Sequence, residues 1–229
     1  YSFNAWAGSG EDPSNDRLSA LRSKKGKFMA ATVISVIFFL AVFMMVKPLF
    51  AILATISFVL WTIYSWPRIG FKYRPVLGTL IHFIGQGIHF QIGFATLKPT
   101  DLNSILISIY FSLLFSAGHI NHELIDYEPD KKMGIRTGAV CYGKALWEKL
   151  SFSVFTFSTV YLLMLTVFHS ADILLFWPFI FAGVIHTGFR LMFCKNDLST
   201  KRFLNERSFY RFLYFAAGTM FILVKSIII

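Results

Sequence analysis

The sequence predicts an all-α integral membrane protein, a bundle of transmembrane helices with its functional loops gathered on one side. Three observations predict it. Of 229 residues, 55% are hydrophobic, 18% aromatic and 15% charged, where a soluble domain carries about 25% charged residues; the mean hydropathy is +0.60. The apolar residues gather in runs of roughly 17–25, the length a helix needs to cross hydrocarbon. Those runs lack the polar–apolar alternation of barrel strands, so helices remain as the spanning structure.

Seven spans follow in chain order. The first, 28–45, opens after a basic N-terminal segment and is parted from 49–66 only by Lys47-Pro48. A loop bounded by Pro67 and Pro75 leads to 76–95, and Lys98 marks the turn into 104–125. An acidic and basic stretch then precedes 150–168, which begins beside Lys149. The last two are 173–193, with Arg190 near its end, and 209–229 beyond a long basic loop.

The net charge of +10 does not describe a nucleic-acid surface. Seventeen of the 22 Lys and Arg sit in loops that fall on one side if the spans alternate: the N-terminal segment, the Pro67–Pro75 loop, the loop after Asp126 and the loop before the last span. The positive-inside rule makes that side cytoplasmic. Cys141 and Cys194 both fall there, where thiols stay reduced, and imply no disulfide framework. No secretory signal peptide is recognisable. The chain starts at Tyr1 inside a stretch that reads as functional, so a natural N-terminus is expected upstream.

The most informative stretch runs from Glu123 to Thr137. Glu123, Asp126 and Asp130 follow a hydrophobic helix at i, i+3 and i+7, a spacing that predicts one shared face. Carboxylates at a membrane helix end face water, a partner charge or a cation. Followed by Lys131, Lys132 and Arg136, they suit either a solvated loop of balanced charge or a Mg²⁺–diphosphate site, since Mg²⁺ takes one or two carboxylates together with phosphate oxygens. Two further polar constellations lie on the same predicted face: Asn4 to Asp16, and Tyr64 to Pro75. A single shared site accounts for all three.

These residues resemble the UbiA superfamily of intramembrane prenyltransferases. Its downstream D-x-x-D-x-x-x-D motif, trailed by a basic residue, G-x-x-T and G-K, is matched by Glu123-x-x-Asp126-x-x-x-Asp130, Lys131, Gly134-Ile-Arg-Thr137 and Gly143-Lys144. Only the first acid differs. Its Y-S-x-P…K-x-x-P pattern is matched by Tyr64, Ser65, Pro67, Lys72 and Pro75. The upstream N-D-x-x-D-x-x-x-D departs: Asn4 and Asp12 hold the outer positions, but Ala5 and Gly8 replace two acids. The usual Pro-Arg-Pro segment is replaced by Arg17, Arg22 and the Lys24-Lys25-Gly26-Lys27 cluster. Either a second Mg²⁺ is held differently, with Glu11 or Asp16 substituting, or activity is reduced or altered.

The resemblance implies a single prenyltransferase domain over 1–229 lacking the first two of nine family helices. It implies transfer of an isoprenoid chain from a prenyl diphosphate to an aromatic or lipid-like acceptor, among membrane lipids and without nucleic acid. Asn4, Asp12, Glu123, Asp126 and Asp130 become the Mg²⁺ ligands. Asp126, Asp130 and Lys72 become the catalytic residues. Lys72, Arg74, Lys131 and Arg68 become diphosphate contacts, by guanidinium forks or lysine point charges. Abundant aromatic rings can line a pocket for the allylic cation, although most must face lipid.

A polar stripe on the third span, His82, Gln86 and His89 at i, i+4 and i+7, reads as helix–helix hydrogen bonding or as acceptor binding, with Tyr64 and His122 as further pocket residues. His119 and His122 can orient a carboxylate or, less readily, join a His₂–carboxylate metal site. Two other functions share the motifs: a membrane terpene cyclase, and a degenerate lipid-binding or scaffold member favoured by Gly8. A channel fits worse, because the acids cluster at one end.

Overall fold

The computed structural model describes residues 25–66, 70–168, 173–194 and 197–228. Among them are nine helices, one 3-10 turn and no strand. They belong to two compact units, Tyr1–Thr100 and Asp101–Ile229. Asn4, Asp12 and Arg68, with the rest of the upstream motif, lie outside the described residues.

In the first unit α1 (Lys25–Val46) packs on α2 (Pro48–Ser65), and α2 on α3 (Leu77–Leu97), with the 3-10 turn Phe71–Tyr73 against α2 and α3. Pro48 stands in the first turn of α2. Its missing N–H is harmless there and its ring would break a continuous helix, so two spans form instead of one. Phe43 stacks on Phe50 across the joint at 4.4 Å, and the Lys47 ammonium donates to the Thr96 carbonyl near the end of α3. Before α3, the Leu77 N–H donates to the Pro75 carbonyl at 2.8 Å and Val76 takes φ 70°. This is a γ-turn that a β-branched residue rarely adopts.

The second unit holds four long helices, α4 (Leu102–Ile125), α7 (Lys144–Phe168), α8 (Ile173–Phe193) and α9 (Thr200–Ile228), and two short ones, α5 (Tyr127–Lys132) and α6 (Gly138–Tyr142). α4 and α8 each pack on both α7 and α9, closing a ring. Asp101 starts α4 with a reciprocal cap: its carboxylate accepts from the Ser104 N–H at 2.7 Å, and the Ser104 hydroxyl accepts from the Asp101 N–H at 3.0 Å. Ser104, Ser108, Ser112 and Ser116 then recur every fourth residue, all buried, and such small side chains let membrane helices approach closely. Cross-links to α7 run from the Ser151 hydroxyl to the Ala117 carbonyl at 3.2 Å and from the Tyr161 hydroxyl to the Leu106 carbonyl at 3.1 Å. Tyr110, Leu114, Phe155, Leu162 and Phe179 form the centre of the core.

At the loop end of the ring lies a buried charge network. Glu206 of α9, fully buried, pairs with Arg190 of α8 at 3.1 Å, Arg202 at 3.3 Å and His186 at 3.4 Å. Glu148 of α7 meets Arg190 at 2.6 Å and Arg202 at 3.0 Å. Three helices are therefore joined through two carboxylates and two guanidinium groups.

Among the described residues seven long helices overlap the seven apolar runs, with one starting at Lys144 where the run began at 150, and four of them, Pro48–Ser65, Leu102–Ile125, Lys144–Phe168 and Leu175–Phe193, are long and apolar enough to cross a membrane by length and composition. Large apolar side chains on the outside, such as Phe38, Phe212 and Phe215, match a lipid-facing surface and would be a liability in water. The last helix differs from expectation. It begins at Thr200 and not near 209, because Arg202 and Glu206 are neutralised by α7 and α8 partners remote in sequence. Lys201, Arg202 and Arg207 accordingly lie on helix and not in a loop.

Short α6 is seated on α7 through Trp147, which stacks on Tyr142 at 5.5 Å. A Cβ on Gly138 would lie 2.0 Å from the Trp147 ring. Gly138→Ala should therefore cost about 1–3 kcal/mol through overpacking, read as a lowered midpoint of thermal unfolding in detergent; an unchanged midpoint rejects this contact. Glu206→Gln should cost about 3–5 kcal/mol, as expected when a buried pair loses one partner, measured in the same way.

Candidate functional site

The downstream acids stand where α4 ends. α4 stops at Ile125, Asp126 takes φ −86° and ψ 4°, and α5 resumes with the Asp130 N–H donating to the Asp126 carbonyl at 2.9 Å. This junction sends the three acids to different environments. Glu123 is buried: one carboxylate oxygen meets the His119 Nε2 at 3.2 Å and the other accepts from the Ala139 N–H at 3.2 Å. It thereby fastens α6 to α4. Asp126 keeps 47% of its side chain exposed, with the His122 Nδ1 at 3.6 Å from its Oδ2. Asp130 is half-buried one turn on.

The basic residues after the acids are held by aromatic and acidic neighbours. The Lys144 ammonium lies 2.8 Å from Glu128 and 4.5 Å from the Tyr127 ring centre. Lys131 stands 5.7 Å from the same ring. The hydrogen bond from Lys144 holds the Glu128 carboxyl below its ordinary range. Lys131, Lys132 and Arg136 are exposed.

Among the described residues, no group of three or more His, Cys, Asp or Glu could enclose a metal ion. A fully protein-built cage is thus not what this segment offers. An open carboxylate at Asp126, with Asp130 a turn away, fits the other way of holding Mg²⁺, in which ligand phosphates complete a hard oxygen shell. Both acids supply the oxygen donors that such an ion prefers.

In the first unit the predicted pocket residues converge on Trp61, which the sequence reading did not single out. Its ring lies 5.5 Å from Tyr64, 5.0 Å from His82 and 5.6 Å from His89. His89 Nε2 accepts from the Trp61 indole N–H at 3.0 Å and lies 2.9 Å from the Ser57 hydroxyl, so His89 bonds α3 to α2. Gly85 permits the indole to lie flush, since a Cβ would sit 3.0 Å from it. Gln86 is half-buried on the same helix. Lys72 sits half-buried in the 3-10 turn, and Arg74 is exposed just after it.

Two further residues passed unassigned in the sequence are Arg207 and Arg211 on α9. Both flank Tyr210, whose hydroxyl lies 3.5 Å from where a Cβ on Gly118 of α4 would stand. Their i, i+4 spacing on one helix face was the available signal, and the span expected over 209–229 took in Arg211 but left Arg207 in the preceding loop.

Comparison with curated proteins and with solved structures returned no match. A family model described as the UbiA prenyltransferase family matches residues 2–216. The match includes both units and the Glu123–Thr137 segment. The chain belongs to the UbiA prenyltransferase family, an all-helical membrane fold of transferases acting on prenyl groups.

Proposed function

We propose that the protein transfers an isoprenoid chain from a prenyl diphosphate to an aromatic or lipid-like acceptor, in a Mg²⁺-dependent reaction whose loops face the cytoplasm. The observation that carries this reading is the pairing of a near-complete family match with an Asp126 carboxylate left half-exposed at a helix junction. Asp126 and Asp130 are the residues that would hold the ion. Bound there, Mg²⁺ supplies Lewis acidity that stabilises charge on the leaving diphosphate. Glu123 acts through position: its bonds to His119 and Ala139 keep the following segment folded back. Lys131 offers a point charge to phosphate. Lys72, Arg74 and Arg68 as cationic contacts, and Asn4 and Asp12 as metal ligands, rest on the family motif alone.

In the reaction the allylic C–O bond breaks and its electron pair departs with the diphosphate. An acceptor carbon or oxygen then bonds to the allylic carbon and releases a proton. Tyr64, His82 and Trp61 present aromatic faces suited to a cation or an aromatic acceptor. His122, Gln86 and His89 are further pocket residues from the motif reading, with His89 also bonded to α2.

The test uses the whole chain in lipid nanodiscs with Mg²⁺, an allylic diphosphate and an aromatic acceptor, following diphosphate release and product mass. Asp126→Asn and Asp130→Asn should each lower turnover roughly a hundredfold or more, and chelation of Mg²⁺ should abolish it. Release of a cyclised hydrocarbon when acceptor is omitted would reassign the protein as a terpene cyclase. Mg²⁺-independent behaviour with no release would leave a lipid-binding role.

A further inference from the structure

We propose that the cavity between α7 and α8, at the loop end of the second unit, binds the head of a zwitterionic membrane lipid in which a phosphate is joined to a primary ammonium. The site uses none of the family-motif residues and does not depend on the function proposed above.

The cavity measures about 370 Å³, within the roughly 300–1,000 Å³ typical of small-ligand sites. Glu148, Lys149 and Phe152 line it from α7, Arg190 and Leu191 from α8, and Asp197 from the linker to α9. Here the start of one helix meets the end of another, and both Lys144–Phe168 and Leu175–Phe193 are long and apolar enough to cross a membrane. The cavity therefore stands at the boundary between hydrocarbon and water, where lipid heads lie. Leu191, one of its walls, is 61% exposed, and Met192 and Phe193 beside it are exposed as well. That wall continues into an apolar surface suited to acyl chains, which favours a ligand with tails over a freely soluble one.

The lining carries both signs of charge. Lys149 is exposed and pairs with no carboxylate among the described residues. Arg190 is only 4% exposed, and its Nη1 has no hydrogen-bond partner among the described residues; a phosphate oxygen is the kind of acceptor such a buried donor lacks. On the acidic side, Glu148 gives Oε1 to both Arg190 and Arg202, so Oε2 is left without a partner among the described residues. The Asp197 carboxylate accepts from the Ser199 N–H at 2.8 Å, and that bond holds its carboxyl below the ordinary range. Two cations and two anions thus balance around the cavity, which suits a zwitterion better than the polyanionic heads that purely basic pockets take. A primary ammonium can use these acids, because it donates three hydrogen bonds. A quaternary ammonium donates none and needs free aromatic faces, whereas the Phe152 ring already carries the Arg190 guanidinium at 4.9 Å.

The experiment is native mass spectrometry of the whole chain in neutral detergent, after incubation with an equimolar mixture of phosphatidylethanolamine, phosphatidylcholine and phosphatidylglycerol bearing the same acyl chains. The wild type should retain the ethanolamine lipid over the choline lipid roughly tenfold, the worth of one charge-assisted hydrogen bond. Asp197→Asn should cut that preference to about threefold, and Lys149→Gln should lower retention of both zwitterionic lipids about threefold without altering their ratio, the size expected of exposed charges. Both positions are exposed, so neither change threatens folding. Lys201→Gln, at an exposed lysine outside the lining, should change nothing. Equal retention of the ethanolamine and choline lipids by the wild type, a preference for phosphatidylglycerol, or an Asp197→Asn ratio equal to that of the wild type would overturn the proposal. So would displacement of the bound lipid by glycerophosphoethanolamine at matching concentration, which would assign the cavity to a soluble ligand of the same chemistry.

Discussion

The ion pairs of Glu206 hold together the loop end of the second unit. With Arg190 at 3.1 Å and Arg202 at 3.3 Å, and with Glu148 completing the balance from α7, three helices meet without leaving an isolated charge. Burying a single one of these groups in a membrane bundle would cost several kcal/mol. Matched in number, they instead extend α9 two turns beyond its apolar stretch. That extension is what puts Lys201, Arg202 and Arg207 on helix.

A second constraint shapes the segment after α4. Glu123 is turned inward, its oxygens engaged by His119 and the Ala139 N–H, and Gly138 lies under the Trp147 ring. Together they fold α6 back onto the bundle. The junction at Asp126 breaks the helix at that point, so the next acid faces outward and stays half-exposed. Two carboxylates three residues apart thereby take opposite places: one anchors the backbone, the other keeps about half of its side chain exposed.

The first unit solves a different problem, how to carry polar rings on an apolar helix. His82 and His89 are gathered around Trp61, and Ser57 shares the hydrogen bonding of His89. Such contacts tie α2 to α3 at modest energy, and Tyr64 meets His82 edge-on in the same group.

Hydropathy alone located the seven long helices, because a bilayer demands continuous apolar length and admits no strand with open edges. The spacing of Glu123, Asp126 and Asp130, with Gly134, Thr137 and Lys144 behind them, was enough to point to the family that the match over 2–216 assigns. Sequence spacing treated the three acids as one helical face, an inference valid only while the helix continues; Pro129, which has no N–H for the Ile125 carbonyl and whose ring crowds it, ends the helix at Asp126, a break that periodicity does not register. The start of α9 was hidden for a related reason. Arg202 and Glu206 look like loop residues until partners more than fifty positions away on α7, and others on α8, neutralise them. Local sequence dictated which segments are helical and which residues carry charge. Only tertiary packing decided which charges cancel and which carboxylate is buried, since those outcomes depend on distances between residues far apart along the chain.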